Sequence, residues 1–253
     1  MLRVRPVHFT SRLDQWERLL TDLGMIKTLH DDTWREFDAA SGRLALQHVP
    51  AGAENDGASS FAVEVGDLEE FARRTNLAGV ESGTTPAELI PADIGDSCRI
   101  TGKDGFSFLA DKAAHFAQCA DADTGLSVVA VWFTEDTAAA AETLRSIGAR
   151  PRPVPDNDET ADFTAKNGGV LMVRPGSGPA RSGFGFEYDG DLPALRDRLA
   201  AAGHQVSMTE EAFGRTLHLA NPDAAGDASG PHVPPTLWIS KQAPLGAQSS
   251  GLR

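Results

Sequence analysis

The segment LDQWERLLTDLG at residues 13–24 is the first of four amphipathic stretches that each end at a glycine. Its leucines and Trp16 recur at the spacing of one helical face, and a glycine closes a helix because it adopts the left-handed conformation without steric cost. The other three are DLEEFARRTNLAG (67–79), EDTAAAAETLRSIG (135–148) and DLPALRDRLAAAG (191–203). We expect four helices that end at these glycines, with Ser11 as the N-cap of the first and Asp67 as the N-cap of the second.

The spacing of the four closing glycines divides the chain. Gly24 and Gly79 are 55 residues apart, Gly148 and Gly203 are again 55 apart, and 148 − 24 and 203 − 79 both equal 124. An equal offset of this kind indicates an internal repeat. Runs rich in valine and phenylalanine, typical of strands, precede and follow the helices. The sequence therefore predicts two halves, each made of two strand–helix–three-strand units.

Stretches rich in proline, glycine and aspartate mark the joints between these units. One of them, Asn221–Pro235, predicts a flexible loop before the last strand. The predicted boundaries are a first half at 1–119 with units at about 1–50 and 58–112, a linker at 120–125, a second half at 126–241 with units at about 126–175 and 182–241, and a disordered tail at 242–253.

Composition excludes several classes of protein. The chain has 253 residues, 23 Lys and Arg against 36 Asp and Glu, a net charge of −13 and two cysteines. Such an excess of acid opposes binding to nucleic acid, and no apolar run is long enough to cross a membrane. The first residues lack the apolar core of a signal peptide, and two cysteines make no disulfide framework. We expect a cytoplasmic protein. Because the repeat places both halves in one chain, the duplication takes the place of an interface between two subunits, so we expect a monomer, with a dimer as the alternative.

Two motifs connect the repeat to a known superfamily. FAVEVGDLEEFARR (61–74) looks like the usual opening of its second unit, and GKDGFSFLAD (102–111) looks like its turn and last strand. With the paired units, the chain resembles the vicinal oxygen chelate superfamily, which includes glyoxalases, bleomycin-resistance proteins and extradiol dioxygenases. The resemblance implies an α+β fold in which four βαβββ modules pair into two half-barrel, glyoxalase-like domains, each curled around a cavity.

Enzymes of this superfamily hold one divalent metal with His and Glu ligands from the first and last strands of paired modules. The metal must bind substrate oxygens, so it needs several inward-pointing ligands and open positions. Almost all of the positions that the resemblance implies fall near residues that bind metals poorly, namely Val4, Ser60, Leu109, Val128, Met172 or Val173, Gly183 and Trp238. The exception is the last strand of the first unit, which offers Gln47 and His48 at about the right place. We therefore expect no cofactor and leave catalysis open. A nonstandard metal site, if present, would use His8, His48 and Glu64.

Aromatic and acidic side chains supply the candidate ligand-binding residues. An indole in a strand offers a flat apolar face and an N–H donor, or simply fills the half-barrel. The two glutamates occupy matching places before the second and fourth helices, and they face the cavity or pair with an arginine such as Arg99 or Arg215. The six candidates are Trp34, Trp132, Trp238, His8, Glu64 and Glu187.

Three functions remain open on the sequence alone. The leading hypothesis is a metal-free protein that binds a small organic ligand, and a cationic ligand would suit the net charge of −13. The second is a metal-dependent lyase, isomerase or dioxygenase with the nonstandard site. The third is a non-catalytic protein whose cavities are filled and whose surface binds a partner.

Overall fold

The computed structural model describes residues 1–83, 87–92, 95–153, 159–211, 214–224 and 233–241. The predicted tail at 242–253 lies outside them, as does most of the predicted loop before the last strand. Within the described residues the chain forms four helices: α1 (Leu13–Leu23), α2 (Leu68–Ser82), α3 (Thr137–Ser146) and α4 (Leu192–Ala201). None of these helices is long and apolar enough to cross a membrane.

The starts of α1 and α2 differ in how they are capped. Asp67 accepts a hydrogen bond from the backbone N–H of Glu70 at 2.8 Å, so the predicted cap of α2 is confirmed. The predicted cap of α1 is wrong, because Arg12 occupies that position and makes no side-chain cap bond. The Ser11 hydroxyl donates instead to the Asp56 carboxylate at 2.9 Å.

The ends of these two helices also differ. Gly24 closes α1 with φ of 98°, as predicted. The end predicted for α2 at Gly79 is wrong, because the helix continues to Ser82 and ends at Gly83 with φ of 64°. Glycine permits the left-handed conformation but does not impose it. Of the two glycines near this helix end, Gly83 adopts that conformation and Gly79 does not.

The first half builds two five-stranded sheets in the described part of the chain, in the orders β3-β4-β5-β2-β6 and β1-β7-β10-β9-β8. Two breaks separate them, at residues 5–6 and at Phe61, and each falls within one continuous extended stretch. The strands are β1 (Leu2–Val4), β2 (Val7–Thr10), β3 (Ile26–His30), β4 (Trp34–Asp38), β5 (Arg43–His48), β6 (Ser59–Ser60), β7 (Ala62–Val65), β8 (Ala87–Ala92), β9 (Gly95–Thr101) and β10 (Ser107–Lys112).

The second half forms one eight-stranded sheet over its described residues, in the order β12-β13-β14-β11-β15-β18-β17-β16. Its central strand is unbroken and spans 126–134, which is 124 residues after the 2–10 stretch of the first half. The strands are β11 (Leu126–Thr134), β12 (Arg150–Arg152), β13 (Ala161–Thr164), β14 (Val170–Pro175), β15 (Arg181–Tyr188), β16 (Val206–Glu211), β17 (Gly214–Ala220) and β18 (Thr236–Lys241). The α+β fold of four βαβββ modules is confirmed, and the sheets stay open.

Two large apolar clusters join the halves on the helix side of the sheets. One packs α2 and its strands against α3 and its strands, and the other does the same with α1 and α4. Side chains alternate between the faces of a strand, so Leu2 and Val4 enter a cluster while Arg3 points to the opposite face. We call that opposite face the inner face. The first inner face belongs to the two sheets of the first half, and the second inner face belongs to the sheet of the second half.

Candidate ligand site on the inner faces

The first inner face is filled by a buried ionic network around Arg43, which is completely buried. Its Nε donates to Asp38 Oδ1 at 2.5 Å, and its Nη1 donates to Glu36 Oε2 at 2.9 Å and to Glu64 Oε1 at 3.1 Å. Burial alone would lower the pKa of Arg43, but the three carboxylates outweigh it and raise the pKa. The guanidinium is therefore a fixed positive charge.

Two further arginines complete this network. Arg3 Nε donates to Glu64 Oε2 at 2.7 Å, while Arg5 Nη2 donates to Asp111. Arg5 Nε lies 3.4 Å from Glu64 Oε1, and the Arg5 guanidinium carbon lies 5.4 Å from the centroid of the Trp34 ring. Glu64 thus has three guanidinium partners, and no oxygen of its carboxylate is free for a ligand.

The sequence assigned Glu64 the wrong partner. Arg99 is exposed, and the actual partners include Arg3, which lies directly opposite Glu64 in the β1–β7 ladder. The available signal was the alternation of arginine with apolar residues in LRVRPV (2–7), which places both arginines on one face of a strand. The candidate Trp34 lies on this inner face, where its Nε1 donates a hydrogen bond to Glu36 Oε1 at 3.3 Å.

The second inner face has an apolar floor. The strand registers place Ser127, Val129 and Val170 where the first half has Arg3, Arg5 and Arg43. The buried valines of this floor pack with Met172, and partly buried Phe133 and Trp238 lie against them. At the three positions where the first half has arginines, the second half therefore has small, mostly apolar side chains.

One buried ion pair lies beside this floor. Arg152 Nη1 donates to Glu187 Oε1 at 3.1 Å and to Glu187 Oε2 at 3.0 Å. Arg152 is on edge strand β12 and Glu187 is on β15, with three strands between them, so the sheet curls enough for one side chain to span it. The predicted partner Arg215 is wrong, because Arg215 Nε lies 3.3 Å from Glu210 Oε1 instead.

The pKa of the Glu187 carboxyl is raised. Burial is the main cause, and the nearby negative charge of Asp162 adds to it, while Arg152, which contacts the carboxylate, and the more distant charge of Arg174 act in the opposite direction. These two guanidinium groups together do not compensate the desolvation of this carboxylate.

Trp238 covers part of the same face. Its indole lies directly over Gly185, so closely that a Cβ added at that glycine would overlap the ring. Trp238 is half-buried, and its cross-strand neighbour His218 forms a 2.9 Å hydrogen bond through Nε2 with the Thr209 hydroxyl. The second inner face thus combines a partly open aromatic ring with a buried carboxylate.

Two predicted residues lie on the helix side of the sheets. Trp132 is completely buried, its ring centroid is 4.8 Å from that of Phe106, and its Nε1 donates to Asp104 Oδ2 at 3.1 Å. His8 is also buried, where its ring packs on Trp16 at 4.4 Å between centroids.

The three residues of the alternative metal site are not brought together. His8 is on the helix side and Glu64 is in the ionic network of the first inner face. His48 is exposed and lines a surface cavity of about 380 Å³, together with Asp14 and Arg35.

No family model matches the sequence, and no curated protein matches it. Solved structures do share the fold. The Mn(II)-bound glyoxalase from Novosphingobium aromaticivorans is 13% identical with a TM-score of 0.59, over 94% of this chain and 80% of its own. A catechol 2,3-dioxygenase is 15% identical with a TM-score of 0.59, over 97% of this chain and 89% of its own. Homoprotocatechuate 2,3-dioxygenase from Arthrobacter globiformis is 19% identical with a TM-score of 0.56, over 95% and 78%.

The chain has the fold of the vicinal oxygen chelate superfamily. One of these neighbours is described as Mn(II)-bound, so the expectation that no cofactor is involved is contradicted. The described side chains do not themselves fit such a metal. The inner-face carboxylates are held by arginines, and no group of three His, Cys, Asp or Glu among the described residues could hold a metal ion.

Proposed function

We propose that this protein binds a small organic molecule on its second inner face, between the indole of Trp238 and the carboxylate of Glu187. The observation that carries the proposal is the difference in partners of two matched carboxylates. Glu64 contacts three arginines, whereas among the described residues Glu187 contacts Arg152 alone. The first carboxylate is fully engaged, and the second has capacity for another cation.

A cationic aromatic compound is the ligand class that these groups favour. A positive charge near Glu187 would add the compensation that Arg152 leaves incomplete, and burial would strengthen that attraction. The electron-rich face of Trp238 attracts cations as well as flat apolar surfaces. The net charge of −13 would raise the rate of encounter with a cation.

A fluorescence titration tests this proposal. Acridine orange, a planar cation, should quench tryptophan emission at micromolar concentrations, whereas the anionic dye fluorescein should not. Glu187→Gln should raise the Kd of acridine orange about tenfold, or about 1.4 kcal/mol. Trp238→Phe should remove most of the quenching, because the other tryptophans lie elsewhere.

Glu210→Gln is the matched control, since Glu210 is an exposed acid on β16 that pairs with Arg215. Its Kd should equal that of the unmodified protein. Equal affinity in Glu187→Gln and the unmodified protein would mean that the dye binds elsewhere, and the proposal would fail.

A metal-dependent enzyme is the second candidate, and the observation in its favour is the fold shared with a Mn(II)-bound glyoxalase. Incubation of untagged protein with Mn²⁺, Fe²⁺ or Zn²⁺, followed by desalting and elemental analysis, tests it. Metal retained at one ion per chain would favour this candidate, and its loss in Glu187→Gln would assign the ion to the second inner face.

A further inference from the structure

A row of hydrogen bonds joins Ser59, His8 and Asp223 on the helix side of the sheets, away from the second inner face. His8 Nδ1 lies 2.9 Å from Ser59 Oγ, and His8 Nε2 lies 2.6 Å from Asp223 Oδ2. His8 and Ser59 are cross-strand neighbours in the β2–β6 ladder, while Asp223 comes from a short 3₁₀ helix at Pro222–Ala224. The row therefore joins residues 215 positions apart in the chain.

The positions of the protons in this row follow from the carboxylate. Burial would raise the pKa of Asp223, but hydrogen bonds from His8, Thr10 and Trp16 outweigh it and lower the pKa. Asp223 is thus ionised at neutral pH and only accepts hydrogen bonds. His8 Nε2 must carry a proton to donate to it. In the neutral ring Nδ1 is then bare, so it accepts the hydrogen bond of the Ser59 hydroxyl.

This arrangement is rigidly held. The Thr10 hydroxyl donates to Asp223 Oδ1 at 2.6 Å, and Trp16 Nε1 donates to Oδ2 at 2.7 Å. The His8 ring is 2% exposed and packs between Trp16 and Phe184. Packing and hydrogen bonds together fix the ring orientation, as a general base requires.

Ser59 differs from the other two residues in its exposure. It is half-buried, and its chain neighbours Ala58 and Ser60 are exposed. A small electrophile could therefore approach this residue from solvent, while the side chains of His8 and Asp223 are buried beneath it. A serine hydroxyl bonded to a base that a carboxylate orients is the arrangement of an activated nucleophile.

We propose that Ser59 is a reactive nucleophile that accepts an acyl group from small activated esters, with His8 as the base and Asp223 as the residue that orients it. Ser59 Oγ forms a bond to the ester carbonyl carbon while its proton moves to His8 Nδ1. The C–O bond to the alcohol then breaks, and the alcohol leaves with that proton. Water then attacks the acyl-serine: His8 takes a proton from the water and returns it to Ser59 Oγ as the acid is released. The net reaction is hydrolysis of the ester.

A fluorophosphonate probe tests the reactivity of Ser59 directly. Ser59 Oγ would bond to phosphorus, fluoride would leave, and the proton would pass to His8. We expect one adduct per chain by intact mass, located on Ser59 by peptide mapping and abolished in Ser59→Ala. His8→Gln should slow labelling by about 100-fold or more, in line with loss of a general base.

Ser60→Ala is the matched control, because Ser60 is the exposed neighbour on the other face of the same strand, and it should label like the unmodified protein. Circular dichroism and thermal melting establish that each variant is folded. Absence of a Ser59 adduct in folded protein would overturn the proposal, as would equal labelling rates in folded His8→Gln. Because acridine orange binding tests a different face, the two proposals succeed or fail separately.

Discussion

The two inner faces carry a glutamate at the same place in the same architecture, yet they have different contents. Glu64 lies opposite Arg3 across β1 and β7, and Glu187 lies opposite Ser127 across β11 and β15. The first carboxylate is surrounded by guanidinium groups, and the second lies beside a valine floor. The comparison shows that the fold fixes where a carboxylate stands, while its strand neighbours decide whether it is available to a ligand.

The physical basis is the cost of burying charge. Several ions leave water together on the first inner face, and that is tolerable only if each finds its partner in good geometry. On the second inner face Arg152 is, within the described part of the chain, the cation in contact with Glu187, and burial raises the carboxyl pKa. The ionic network of the first inner face, in which every carboxylate is paired, therefore serves structure. The incompletely compensated charge of Glu187 is suited to binding a ligand.

Arg43→Met should have the largest effect, because it breaks the network of the first inner face. The change leaves Asp38, Glu36 and Glu64 without their common partner, and removing one member of a buried ionic group costs about 3–5 kcal/mol. Urea denaturation monitored by circular dichroism would measure the loss of unfolding free energy.

Arg73→Met is the control for that variant, since Arg73 forms an exposed ion pair with Glu70 on α2. An exposed pair contributes about 1 kcal/mol or less. If both variants lost equally little stability, the network would not be the structural centre of the first half.

Gly185→Ala should have an intermediate effect, confined to the second inner face. The new methyl group overlaps the Trp238 indole and displaces it, at a cost of about 1–3 kcal/mol. Acridine orange affinity should fall with it. In Gly183→Ala, on the same face of β15, the new Cβ would lie 3.2 Å from Phe133 Cε2 and should disturb the site less. Similar affinity in both variants would exclude Trp238 from the site.

The pH dependence of dye binding should give the smallest effect. The pKa of Glu187 is raised above the ordinary glutamate value of about 4.3. Because protonated Glu187 carries no charge, the affinity for acridine orange should fall as the pH drops through this raised pKa. Without ligand, the folded chain holds this proton more tightly than the unfolded chain, so the contribution of Glu187 to stability decreases as the pH rises through that pKa. Titrations between pH 4.5 and 8 should show the fall in affinity, and Glu187→Gln should be insensitive.

Much of the fold could be predicted from local signals. Helical stripes and the glycine spacing located the helices and the four βαβββ modules, because these features depend on residues close in the chain. The end of α2 was misplaced, since Gly79 remains helical. The site was less predictable. Trp34, Trp238, Glu64 and Glu187 do lie on the inner faces, but the arginines that govern the two glutamates were missed.

Sequence by itself determined the α+β architecture, the corresponding places of Glu64 and Glu187 before the second and fourth helices, and the acidic charge, because periodicity, order along the chain and composition are properties of the chain. Only the tertiary structure decided which charges meet. Arg152 reaches Glu187 because the sheet curls across three strands, and His8 meets Asp223 because the first and last modules pack together. Such contacts join residues far apart in the chain, so no local pattern encodes them.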